Sequence, residues 1–128
     1  MISILQSLLK SKALAILWTL IIFILCTLPS EEAAKIGTLN DKVNHAIAFA
    51  GFVFFWLFHT SMIRLIIIIG IFYGILIEVW QYFLPESYNR GFELMDTIAD
   101  AIGCLLGYFI YLIFKYLINK FSFNGKQK

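Results

Sequence analysis

The chain predicts an all-α, polytopic membrane protein: a bundle of four transmembrane helices with both termini in the cytoplasm. Three observations carry that expectation. Hydrophobic residues make up 61% of 128 residues and charged residues only 14%, with a mean hydropathy of +0.86, outside the range of soluble domains. The apolar residues gather into four runs, 13–28, 43–59, 65–84 and 97–118, each close to the length of about 20 residues that spans a bilayer. Lysine and arginine concentrate at alternate ends of those runs, the pattern that fixes topology.

The first run follows Lys10 and Lys12, as the apolar region of a signal peptide would. The stretch "ILCTLPSEE" holds no small-residue cleavage site, so the run is expected to remain as a helix. Leu25 before Cys26 also argues against lipoprotein processing. The second run opens on "DKVNH", residues 41 to 45. The third carries Gly70, Gly74, Glu78 and Gln81 at intervals of four, four and three; the fourth carries Asp96, Asp100, Gly103 and Gly107 at four, three and four. Such spacing puts each set on one helical face. Small residues at four-residue intervals let membrane helices approach closely. The third and fourth helices are therefore expected to pack antiparallel along the two stripes, with Glu78 facing Asp100.

Orientation follows from the cations. Lys10, Lys12, Arg64, Lys120, Lys126 and Lys128 lie on one side of a four-span chain, assigned to the cytoplasm. The opposite loops hold Glu31, Glu32, Lys35, Asp41 and Lys42, then Glu86, Arg90, Glu93 and Asp96, and are acidic on balance. At a helical rise of about 1.5 Å per residue, His45 lies about 6 Å below Asp41, Glu78 about 9 Å below Leu84, and Asp100 about 6 Å below Asp96. Three ionisable groups thus meet at one depth in the outer leaflet.

An ionised side chain costs roughly 2.5–3.5 kcal/mol at the centre of a span and persists there chiefly when paired or functional. Asp41, Glu78, Asp96 and Asp100 outnumber Lys42 and Arg90, so the candidate cluster carries excess acid. A retained proton, a bound cation or the cationic group of a ligand would each balance it. A salt-bridged plug that only locks the helices together is the structural alternative. His45 is read as a packing or hydrogen-bonding group rather than a metal ligand, and His59 as an interfacial residue near the cytoplasmic end.

The formal charge of +2 and the absence of a basic patch argue against nucleic-acid binding. "SLLK" at Ser7 to Lys10 matches S-x-x-K by chance, without its companion motifs. No zinc-protease, nucleophile-elbow or Walker pattern is present, and Cys26 and Cys104 are single cysteines on different runs, so neither cofactor nor metal is assigned. The carboxylates and one histidine would nevertheless suit a hard divalent cation.

Taken in order, "DKVNH" with Asp41, Lys42 and His45, "EVWQ" with Glu78 and Gln81, then Arg90, then "DTIADAIGCLLGY" with Asp96, Gly103 and Gly107 resemble the VanZ-like membrane proteins over nearly the whole chain. The family pattern has asparagine where this chain has Asp100, a departure that adds an ionisable group opposite Glu78. The resemblance implies a single VanZ-like membrane domain over residues 1–128, in the bacterial cytoplasmic membrane. It also implies a link to teicoplanin-type resistance that does not rebuild the drug's peptide target.

Three functions follow as expectations. The first is a non-enzymatic factor binding membrane lipid, a lipid-linked envelope intermediate or a lipoglycopeptide at the outer leaflet, with Arg90 and Lys42 toward anionic head groups. The second is a membrane-embedded hydrolase or transferase with Glu78 or Asp100 as base and His45 as acid. The third is a small proton-coupled transporter.

Overall fold

The computed structural model describes residues 2–37 and 40–124. Six α-helices follow in order: α1 (Ile2–Leu9), α2 (Lys12–Thr27), α3 (Ser30–Ile36), α4 (Asp41–His59), α5 (Ile63–Tyr82) and α6 (Leu94–Asn124), with a 3-10 turn at Glu86–Tyr88. No strand occurs among the described residues. Lys126 and Lys128, two of the cations used to orient the chain, lie outside them.

The four long helices are the four apolar runs, with starts set by local chemistry. Asn40 caps α4, its side chain accepting from the Lys42 backbone N–H, which draws the helix back to Asp41. Glu93 immediately precedes α6, its carbonyl accepting from the amides of Asp96 and Thr97. Two short helices went unforeseen. In α3, Pro29 precedes Ser30, Glu31 and Glu32 fill the first turn, and Lys35 the last, all favourable placements against the helix dipole. The octapeptide ISILQSLL forms α1.

Four spans were expected, but among the described residues two helices are long and apolar enough to cross a membrane by length and composition: Ile63–Tyr82 and Leu94–Lys120. The other two fall short for separate reasons. Lys12–Thr27 is apolar but has only 16 residues. Asp41–His59 opens on Asp41, Lys42, Asn44 and His45, which dilute its apolar run.

Helix α4 is central. Phe49 and Val53 are fully buried, and Ile22, Leu57, Ile77 and Cys104 complete the core around them. The α6 glycines depart from the expected pairing. A Cβ on Gly103 or Gly107 would run into the backbone of Ala46 or Ala50, so both glycines serve the α4–α6 crossing rather than α5. The register 46 to 103 and 50 to 107 makes α4 and α6 parallel. Gly70 and Gly74 do face α6, but opposite side chains: a Cβ would lie 2.7 Å from Cys104 Sγ and 2.7 Å from Asp100 Oδ2, respectively. The physical reason is that glycine leaves room for either backbone or side chain, and its spacing alone does not name the neighbour.

Helix α2 docks by polar contacts at its edges. The indole of Trp18 donates to the Ala48 carbonyl at 2.9 Å, that of Trp56 to Thr19 Oγ1 at 3.0 Å, and that of Trp80 to Thr27 Oγ1 at 3.1 Å. The Tyr73 hydroxyl donates to the Thr19 carbonyl at 2.9 Å.

Candidate functional site

The polar residues singled out above meet where the ends of α2, α4 and α5 and the start of α6 come together. His45, Glu78, Gln81, Asp96 and Asp100 are all buried, Glu78 and Asp100 completely. Burying so many polar groups is costly unless they satisfy one another, and most of them do.

His45 Nδ1 and Asp100 Oδ1 lie 2.9 Å apart, joining α4 to α6. One oxygen of Glu78 accepts the Glu93 backbone N–H at 2.8 Å, tying the last turns of α5 to the beginning of α6. A carboxylate there complements the positive end of the helix dipole. Gln81 donates through Nε2 to the Cys26 carbonyl at 3.0 Å, closing α5 on the last turn of α2. Three buried atoms have no hydrogen-bond partner among the described residues: Glu78 Oε1, Asp100 Oδ2 and Thr97 Oγ1.

Above this layer sit the cations. Lys42 Nζ bonds Asp96 at 2.8 Å and Glu93 at 2.9 Å. Lys42 precedes the apolar run 43–59, and its hydrogen bonds to Asp96, then Glu93, raise its pKa well above the ordinary lysine value. Arg90 donates through Nε to the Leu28 carbonyl at 3.2 Å, capping the end of α2, while its Nη1 stands 3.9 Å from Asp41. A cation there is favoured by the dipole of α2. Asn89 supplies the left-handed residue of the preceding turn, with φ of 48°, a conformation asparagine tolerates better than most side chains.

These contacts refine the expectation for Lys42 and Arg90. Lys42 is committed to two protein acids, and Arg90 is partly spent on a carbonyl. Glu93 is the functional residue that sequence reasoning passed over: its amide holds Glu78 and its carboxylate holds Lys42. The available signal was its position three residues before Asp96, where a helix start places its cap.

A cavity of about 670 Å³ opens beside the cluster. Its wall is mixed: Trp18, Ile22 and Phe49 are apolar, whereas His45, Arg90 and Asp96 are polar. Helix α3 contributes Ala33 and Ala34 to one side. The volume falls within the range typical of small-ligand sites, and a largely apolar wall with a few convergent polar groups suits an amphiphile. Chemically, the arrangement offers a charged end that can orient a head group, a histidine held by a carboxylate for proton exchange, and a buried carboxylate pair.

A family model described as VanZ/LLP1 matches residues 12–115, which takes in every residue of the cluster. No curated protein and no solved structure matches the chain.

Proposed function

The chain belongs to the VanZ/LLP1 family, and from that premise we propose an integral protein of the bacterial cytoplasmic membrane that binds a lipid or lipidated ligand in the cavity beside His45 and Arg90. The observation that carries the reading is the cavity itself, apolar along its wall and charged at the end where α4 and α6 begin.

Membrane residence rests on the outer surface of the bundle. Ile68, Phe72 and Leu76 on α5 and Leu105, Phe109 and Ile113 on α6 are all exposed. Side chains of that size over two helices form a larger apolar surface than monomers in water tolerate. All four long helices then cross the bilayer as one domain, with α2 and α4 completed by local thinning. The cations at residues 10, 12, 64 and 120 put both termini inside. The cavity then faces outward, where an acyl chain can lie along Trp18 and Phe49 and a head group can reach Arg90.

The role is non-enzymatic and confers teicoplanin-type resistance by acting on events at the lipid surface. Expression in a sensitive bacterium, with teicoplanin and vancomycin compared side by side, tests it. Protection against teicoplanin alone, lost in Arg90→Ala and Glu78→Gln at matched membrane levels, is the expected result. No protection at equal expression withdraws the resistance reading.

One observation favours a second reading, a hydrolase or transferase on a lipid-linked envelope substrate. His45 borders the cavity while Asp100 holds its Nδ1, an arrangement that orients an imidazole for proton transfer. Turnover of such a substrate by the purified chain, abolished in His45→Gln, would establish it over simple binding.

A further inference from the structure

Behind the cavity wall the three helices converge on a set of donors that protein contacts leave incomplete. A ring nitrogen of His45 and one carboxylate oxygen each from Glu78 and Asp100 all lie within 4.8 Å of one another, and all three residues are buried. Independently of that clustering, Glu78 Oε1 and Asp100 Oδ2 accept no hydrogen bond from any described residue. Charge points the same way. Among the described residues no lysine or arginine pairs with either acid: Lys42 goes to Glu93 and Asp96, and Arg90 to Asp41.

We propose that His45, Glu78 and Asp100 bind one divalent first-row transition-metal ion, of the Zn²⁺ or Mn²⁺ class, between α4, α5 and α6. Two carboxylates and a divalent ion cancel to zero charge in an apolar bundle, where an uncompensated charge is most costly. The donor set decides the class of ion. Calcium seeks six to eight oxygens and magnesium keeps most of its water, whereas one imidazole and two carboxylates suit zinc or manganese.

Reach is adequate. An ion centred among three atoms 4.8 Å apart lies at most about 2.8 Å from each, so an inward shift of under about 1 Å gives bonds of about 2.0–2.2 Å. His45 and Asp100 are already held to each other at 2.9 Å. The third residue, Glu78, is fixed through its other oxygen by the Glu93 amide, the kind of outer contact that orients a ligating carboxylate. With three protein ligands the ion keeps a position open, and His45 is the member that borders the cavity. The metal site does not depend on what the cavity binds.

Metal content of the purified full-length chain in detergent tests this. After chelator dialysis, the protein is equilibrated with Zn²⁺ and bound metal is counted by mass spectrometry; Co²⁺ is loaded separately as a spectroscopic probe. About one Zn²⁺ per chain that persists in excess Mg²⁺ is expected, together with visible Co²⁺ bands. Glu78→Gln and Asp100→Asn, both near-isosteric, should each lower Zn²⁺ affinity at least tenfold. Asp41→Asn should leave it unchanged, although Asp41, His45 and Asp96 form a second, more exposed set. Absence of Zn²⁺ and Co²⁺ binding by the wild-type chain overturns the proposal, and so does equal affinity in both isosteric variants. Loss on Asp41→Asn with retention in Glu78→Gln overturns it as well, by moving the ion to the outer set. The wild-type count and spectrum stand even if a variant fails to fold, and none of these readouts requires lipid or drug.

Discussion

The two halves of the α4–α6 interface fill space in opposite ways. Toward the start of α4, Gly103 and Gly107 bring α6 onto the backbone of Ala46 and Ala50, and the side chains that pair across the seam are polar, His45 with Asp100 and Lys42 with Asp96. Toward the other end the contact is made of rings: Phe54 lies 5.3 Å from Phe114 and Phe58 lies 5.0 Å from Tyr111, both edge-on. Close backbone approach leaves no room for bulk, so short polar side chains can meet there. The aromatic half has volume to occupy and little need of polarity. One helix pair thus separates a polar site from its mechanical support.

Breaking the backbone contact should have the largest effect. Gly107→Leu forces a side chain into the Ala50 backbone and should destabilise the bundle by about 3 kcal/mol, near the upper end for overpacking. Denaturant titration of the purified protein by circular dichroism measures it, and a stability close to wild type would show that the helices can part without penalty.

Next comes the polar pair. Asp100→Ala leaves the buried His45 without its partner and should cost about 2 kcal/mol, whereas Asp100→Asn retains an acceptor and should cost under about 1 kcal/mol. Equal losses in the two variants would mean that charge, not hydrogen bonding, holds the polar half together. On the aromatic side, Phe58→Leu keeps an apolar filler and removes the edge-on ring contacts to Tyr111 and Phe54, for about 1 kcal/mol in the same titration. A cost above that of Asp100→Ala would reverse the ranking of the two halves.

The smallest effect is expected from Lys42→Gln, because the ammonium is part-exposed, its partner Glu93 is exposed, and an amide can still donate to the buried Asp96. The raised pKa of Lys42 means that the ion pair is fully present below the ordinary lysine pKa and is lost only as pH climbs through the higher folded value. A melting temperature that falls slightly in low salt, converges with wild type in high salt and shows no pH dependence near neutrality would fit a rim contact.

Much of this division was legible in the chain. Period and polarity placed His45, Glu78 and Asp100 at one depth, because a helix rises by a fixed amount per residue and the apolar runs set the origin. The same periodicity could not say which helix Gly103 and Gly107 touch: a stripe specifies a face, while the neighbour depends on how three helices are arranged around it. That is why an α5–α6 seam was expected where α4 supplies the surface. Helix α3 was missed although Pro29, Ser30, Glu31 and Glu32 carry start signals, since hydropathy reads a polar segment as a loop. Glu93 was missed because its main contribution is a backbone amide, which no side-chain pattern records.

The tryptophan placement has a spectroscopic consequence. The chain contains three tryptophans, and each donates its indole N–H across a contact of α2: Trp18 from α2 to α4, Trp56 from α4 to α2, and Trp80 from α5 to α2. Intrinsic emission is therefore blind to most of the α4–α6 seam and reports on whether one helix is docked. A shift in that emission during unfolding, ahead of the loss of helical ellipticity, would time the departure of α2 from an otherwise intact three-helix core.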